Sequence, residues 1–213
     1  MEKKFIQSLG RAMDILEYLS FYSEARLQDI SNSLSLNKST IHSLISTLEQ
    51  LGYVERGEKN PTYSLGVKVF QLGKVYEKNF KIKNTIQPLL KEMSEFSNET
   101  TYLTLQVGKN YIYIDKCESK NNLKLSPELG FEESIESNSA IGKIYKSFLE
   151  NKVLNYALDL EEVEKGMNCV AFPILKFNNL IGVIGIGGPA SRLTPEKIEL
   201  CKNKYYELLE KLF

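Results

Sequence analysis

The spacing of apolar residues changes period once along the chain. Up to about residue 99 they recur every three to four positions, and from Thr100 they alternate for long stretches. Leu9, Ala12, Ile15, Leu16 and Leu19 share one helical face, with Ser8 placed as a cap. Leu27, Ile30 and Leu34 predict a shorter second helix. Only Ser35 and Leu36 separate it from a third, which Asn37 can cap and which carries Ile41, Leu44, Ile45, Leu48 and Leu51 on its apolar side. Two helices joined so tightly must cross steeply, the geometry of a helix-turn-helix. Gly52 is suited to end the third helix. "YVER", "GEKNP" and "TYSLG" follow as strand, loop and strand, and Tyr53, Val54, Tyr63 and Leu65 can return that hairpin to the helices. Residues 1–66 therefore read as a winged helix-turn-helix.

Residues 67–99 read as two helical pieces joined irregularly by "EKNFKIKN", with Pro88 early in the second piece, where a helix tolerates it. Beyond Thr100, "TYLTLQV", the turn "GKN" and "YIYIDKC" predict a hairpin, and "NLKLS" a third strand. Ser139 is placed to cap a helix over "SAIGKIYKSFLENK". "CVAFPILKF", the turn "NN" and "LIGVIGIGG" predict a second hairpin, and a last helix follows Thr194-Pro195. The fold class is α+β, divided into a winged helix-turn-helix (1–66), a helical linker (67–84) and an α/β domain with a mainly antiparallel sheet (85–213).

The chain has 213 residues, 42% hydrophobic and 25% charged, enough for one large core or two small ones. Its zero net charge hides a mild asymmetry. Residues 1–84 carry 12 Lys/Arg against 9 Asp/Glu, and the rest carry 15 against 18. No segment has the apolar length of a membrane span, and "MEKKFIQSLGRAMDIL" lacks a signal-peptide core. Cys117, Cys169 and Cys201 are odd in number and far apart, which argues against a disulfide framework or a metal knuckle. A cytoplasmic protein with no membrane contact, no metal and no cofactor is expected.

The third helix carries the candidate chemistry. Its first turn is polar, and its outer face, with Lys38, Ser39, Thr40, His42, Ser43 and Ser46, holds no carboxylate before Glu49. A helix start offers free N–H groups and a partial positive charge to phosphate. Short polar side chains let the backbone approach a duplex, and Ser, Thr and His can bond base edges in the major groove. Arg56 and Lys59 of the hairpin add cations beside the same surface. Such a face also occurs merely solvated, and three-helix modules also mediate protein contacts. Catalysis has weaker support. His42 is the sole histidine, and "GIGGP" lacks the Lys-Ser/Thr of a phosphate loop, so a strand-end turn fits it better.

"SLGRAMDILEYLS", "LNKSTIHSLISTLEQLGYVERG" and "YSLGVKVFQLG" resemble the N-terminal domain of the IclR family of bacterial transcriptional regulators. The likeness continues in "SNSAIGKIY", "DLEEVEKGMNCVAFPI" and "GIGGPASRLT". It implies a homodimer or dimer of dimers on double-stranded operator DNA, acting as a repressor, with a GAF-like C-terminal domain that binds a small organic effector, often a carboxylate. By resemblance the pocket is walled by Ala140, Ile141, Asp159, Met167, Cys169, Gly185 and Gly187, with Asp159 either an acid facing the pocket or an ordinary helix N-cap. Ser43 stands where the family commonly has Arg. Glycine fills both final positions, where binders of small carboxylates tend to have hydroxyls, and Ile141 is bulkier than usual. The stretch from Lys143 to Gly166 has room for at most two short helices where the family usually has two more, so the domain reads as abbreviated. Two other functions remain open: a regulator whose second domain serves only oligomerisation, and a small-molecule enzyme using Cys169 and Asp159.

Overall fold

The structure is a computed structural model that describes residues 5–57 and 61–211. It divides into two compact units, Met1–Phe80 and Lys81–Phe213.

In the first unit, α1 (Gln7–Ser20), α2 (Leu27–Ser33) and α3 (Lys38–Gln50) pack with a small sheet of β1 (Ala25–Arg26), β2 (Val54–Arg56) and β3 (Thr62–Leu65). Ile15 and Leu19 of α1, Ile30 of α2, and Ile41, Ile45 and Leu48 of α3 meet Val54 and Tyr63 in one core, with Tyr53 and Leu65 half-buried against it. The periodic positions thus close the core as expected, with three differences. Ser8 lies inside α1, whose cap position is Ile6. Asn37 takes the cap position of α3 without a side-chain hydrogen bond. The wing gains β1, which pairs with β3 through Ala25 and Tyr63; two residues are too short for an alternation signal. Gly52 turns the chain out of α3 with φ +80°, a conformation that glycine adopts without penalty. Gly66 lies so close to the Gly52 carbonyl that a Cβ there would overlap it, and the Gly66 N–H bonds the Tyr53 carbonyl at 2.8 Å. That close approach seats the start of α4 (Val67–Asn79), whose first N–H is accepted by Glu55 Oε1 at 3.1 Å.

In the second unit, α5 (Lys81–Ser97) begins directly after Phe80, so the irregular join expected over 77–84 narrows to one residue. A six-stranded sheet follows in the order β6-β5-β4-β9-β8-β7, every neighbouring pair antiparallel. Its strands are β4 (Thr100–Val107), β5 (Asn110–Cys117), β6 (Glu132–Ser134), β7 (Ala157–Leu160), β8 (Met167–Lys176) and β9 (Asn179–Pro189). Central β4 is covered on both faces, so Thr100 to Thr104 are all buried and the threonine hydroxyls need internal partners. Thr101 Oγ1 donates to the Leu90 carbonyl of α5 at 2.6 Å, and Thr104 bonds Tyr145 of α6 (Ala140–Leu149). Helix α7 (Pro195–Leu209) stacks Tyr205 on Phe172 at 4.4 Å.

Two expectations fail here. "NLKLS" forms no strand. The third strand is Glu132–Ser134, too short and too polar to stand out by alternation. Between α6 and β7 there is no further helix, and Asp159 sits within β7, so it is not a helix N-cap.

Candidate functional site

The first unit presents the outer face of α3. The sequence alternates core and surface at helical spacing, so burying Ile41, Ile45 and Leu48 turns the polar positions outward. Lys38, Ser39, His42 and Ser43 are exposed, and Thr40 and Ser46 half-buried. Arg56 is exposed at the end of β2, opposite Tyr63 in register. Lys38, His42 and Arg56 have no hydrogen-bond or ion-pair partner among the described residues, so their donors face solvent unspent. Arg26, at the end of β1 opposite Thr62, is a further exposed cation on the same small sheet. Sequence reasoning missed it because β1 itself was illegible. Lys59 lies outside the described residues. The arrangement suits a polyanion: a helix start and three cations on one module, with no carboxylate in the first turn of α3.

The second unit holds a cavity of about 120 Å³ between the sheet and the start of α6. Its position follows from local bonds. Ser139 Oγ accepts the Gly142 N–H at 3.0 Å and also bonds Tyr111 Oη at 2.9 Å and Ser137 Oγ at 2.8 Å, which pins the helix start to the sheet. A Cβ at Gly142 would lie 2.8 Å from the Ser137 carbonyl oxygen, so this approach requires glycine. Ala140, Ile141, Asp159, Met167 and Cys169 all line the cavity, together with Tyr102, Tyr113 and Glu133, which sequence reasoning did not single out.

Gly185 and Gly187 do not line it. The Tyr102 ring covers Gly185 so closely that a Cβ there would overlap it, and a Cβ at Gly187 would meet Leu125 at 2.5 Å and Tyr102 Oη at 2.8 Å. The expected gap left by two missing hydroxyls is therefore filled. Tyr102 lies across both glycines and donates its own hydroxyl to Cys169 Sγ at 3.7 Å. Alternation placed Tyr102 on a strand, but one strand's sequence cannot say which glycines on its neighbour admit a ring.

Asp159 pairs with Cys169 across β7 and β8, so both side chains leave the sheet on the same face. Asp159 Oδ1 accepts the N–H groups of Glu162 and Val163 at 2.8 and 3.2 Å, which fixes the carboxylate against the cavity. Burial pushes the Cys169 thiol up to about 12, with the Asp159 charge acting in the same direction. Burial likewise raises the Tyr102 and Tyr113 phenols. At neutral pH all three groups are protonated. A thiol held in that form is a poor nucleophile.

A winged helix-turn-helix with an exposed polar helix face, followed by a separate α+β unit, is the construction of a DNA-binding transcriptional regulator. The model of the IclR helix-turn-helix domain matches residues 8–58, and that of the bacterial transcriptional regulator IclR C-terminal domain matches residues 74–156. The chain is 30% identical to the HTH-type transcriptional regulator XynR of Escherichia coli over 203 residues, covering 79% of this chain and 80% of XynR. It is 25% identical to the HTH-type transcriptional repressor AllR of Klebsiella pneumoniae, with 92% and 84% covered. The crystal structure of an IclR family regulator from Brucella abortus superposes with a TM-score of 0.80 at 18% identity, over 99% of this chain and 92% of that one. The chain belongs to the IclR family and is a DNA-binding transcriptional regulator.

Proposed function

We propose that the first unit reads operator DNA through α3, with Lys38 and Arg56 on phosphates and His42 and Ser43 on base edges. Ser39, Thr40 and Ser46 complete the polar face, Arg26 extends the cationic surface, and Lys59, outside the described residues, is proposed as a further phosphate contact. What carries this reading is the exposed, unpartnered set Lys38, His42 and Arg56 around a helix start free of carboxylates. The outcome is repression, as in the similar AllR, and release follows when a small effector occupies the cavity beside α6. The protein acts on the chromosome, in the cytoplasm. The test is a gel shift with a duplex selected by the protein from a random pool. Wild type should retard it, and Lys38→Ala/Arg56→Ala should not. Equal retardation of both would remove the assignment.

A homodimer follows from the same unit. Helix α4 buries none of its residues, while Leu72, Val75 and Tyr76 on one side of it are each more than half exposed. A groove of about 460 Å³ between α1 and α3 also leaves Leu9, Met13 and Leu51 uncovered. One winged module makes too few contacts for specificity against a genome, and a symmetric pair reads two half-sites. Helix α4 alone is the connector, because α5 is committed to the core of the second unit through Ile86, Leu89, Leu90 and Met93. Light scattering should return a dimer at micromolar protein; a monomer with and without DNA would count against it.

A further inference from the structure

Helix α4 begins without a cap of its own. Its N-cap position is Gly66, which has no side chain to offer, and its first turn holds no acid. Each of the first amides is nevertheless bonded. The Gly66 N–H donates to the Tyr53 carbonyl at 2.8 Å, the Lys68 N–H to the Gly52 carbonyl at 3.2 Å and the Val69 N–H to the Gly66 carbonyl at 3.0 Å. The Val67 N–H donates to Glu55 Oε1 at 3.1 Å. Three of these four acceptors lie in residues 52–55, which carry the chain out of α3 and into β2.

We infer that Glu55 is a positioning residue for operator reading: by capping α4 from the wing, it fixes the angle at which α4 leaves the DNA-reading module, and so the spacing of half-sites that a pair of modules accepts. The inference rests on the reading of α3 as the DNA-contacting helix and of α4 as the joint of a homodimer, and goes further by naming the residue that sets the joint.

The junction leaves little else for a side chain to decide. Gly66 permits the close approach to the Gly52 carbonyl, and two of the bonds end on backbone carbonyls that any sequence would supply. Glu55 makes the one bond across it that depends on a side chain. Successive strand residues leave on opposite faces, so Glu55 reaches α4 while its neighbour Arg56 stays free of it. An exposed carboxylate next to a phosphate contact would ordinarily oppose DNA. Here it faces the positive end of a helix that has no acid of its own, where a negative charge is favourable.

The length of α4 turns a small change at this junction into a large one at its far end. Its 13 residues make a rod of about 20 Å. A tilt of about 10° at the start therefore moves the far end by about 3.4 Å. That is one base-pair step along a duplex. Leu72, Val75 and Tyr76, the exposed apolar residues through which two copies would meet, lie towards that far end. A joint loosened at Glu55 thus lets the two modules sit at several separations instead of one.

The experiment is fluorescence anisotropy with the full chain on a duplex it selects from a random pool, on the same duplex with its half-sites shifted by single base pairs, and on one half-site alone. Glu55→Gln and Glu55→Ala both remove the charge, but only the amide keeps an acceptor for the Val67 N–H, so the difference between them isolates the cap. Glu55→Ala should lose at least about fivefold of the preference for the selected spacing, the equivalent of one helix cap. Glu55→Gln should keep the wild-type preference, and the two variants should bind the single half-site alike. Glu55 is exposed, so its truncation leaves the core of the module untouched. Amide exchange at Val67 should be faster in Glu55→Ala than in Glu55→Gln. Equal spacing preference or equal exchange in the two variants would overturn the inference and leave the dimer standing. So would a loss in Glu55→Ala that is the same on one half-site as on the pair, since that is the mark of a merely structural role. A wild type indifferent to spacing would overturn the dimer reading and the inference together.

Discussion

Removing Lys38 and Arg56 together gives the most quantitative check on the DNA-reading surface. Both side chains are exposed and unpartnered among the described residues, so Lys38→Ala/Arg56→Ala leaves no orphaned acid and should not disturb the core built on Ile41, Ile45 and Leu48. Each phosphate contact contributes a slope of about 0.9 to the fall of log affinity with log salt. The proposed dimer would carry both residues twice, so four proposed contacts would vanish and the slope should flatten by about 3.6. Raising salt from about 50 to about 200 mM would then cost the variant about 150-fold less affinity than wild type. Fluorescence anisotropy on a selected duplex across that salt range measures both slopes. The contrast is His42→Ala or Ser43→Ala. These should leave the slope alone and narrow the preference over scrambled DNA, since a lost base contact is worth about 1–3 kcal/mol. Parallel slopes for wild type and the double variant would refute the phosphate assignment, whatever happened to absolute affinity.

Three further outcomes test the second unit. Arg192 bonds Glu99 through Nε at 2.6 Å and Nη2 at 2.9 Å, and Glu99 is only 1% exposed. Arg192→Met should therefore strand a buried carboxylate, destabilise the unit by about 3 kcal/mol and lower Tm by about 10 °C in a thermal melt, whereas a melt within about 2 °C of wild type would show that the pair contributes little. Gly185→Ala should cost about 1–3 kcal/mol by overpacking, because its Cβ would overlap the Tyr102 ring, and adding Tyr102→Ala should remove that overlap; denaturant titration of the single and double variants checks it. Cys169, with its thiol pushed up to about 12, should be ionised in only about one molecule in 10⁴ at pH 8, so peptide mapping after brief iodoacetamide treatment should find it unmodified in the native protein.

What the sequence disclosed, and what it withheld, has a physical pattern. Features carried by one segment were legible: the apolar faces of α1 and α3, the tight α2–α3 join, the turn at Gly52, the cap Ser139, the helix after Thr194-Pro195, and the two long hairpins. Features that exist only between segments were not. Strand β1 is defined by its partner Tyr63 and not by its own two residues. Strand β6 is likewise defined by pairing with Tyr111 and Ile112. The cavity obeys the same division. Ala140, Ile141, Asp159, Met167 and Cys169 line it where a motif placed them, because each element carries its own residues to the site. The chemistry of the wall changed through neighbours that no motif contains. Tyr102 enters from β4 and is admitted by Gly185 and Gly187 on β9, so two glycines that read as missing hydroxyls turn out to be the space for a phenol. Glu133 enters from β6, the strand that was not foreseen. A family motif can thus keep the wall of a cavity in place while residues outside it, Tyr102 and Glu133, change what that wall presents.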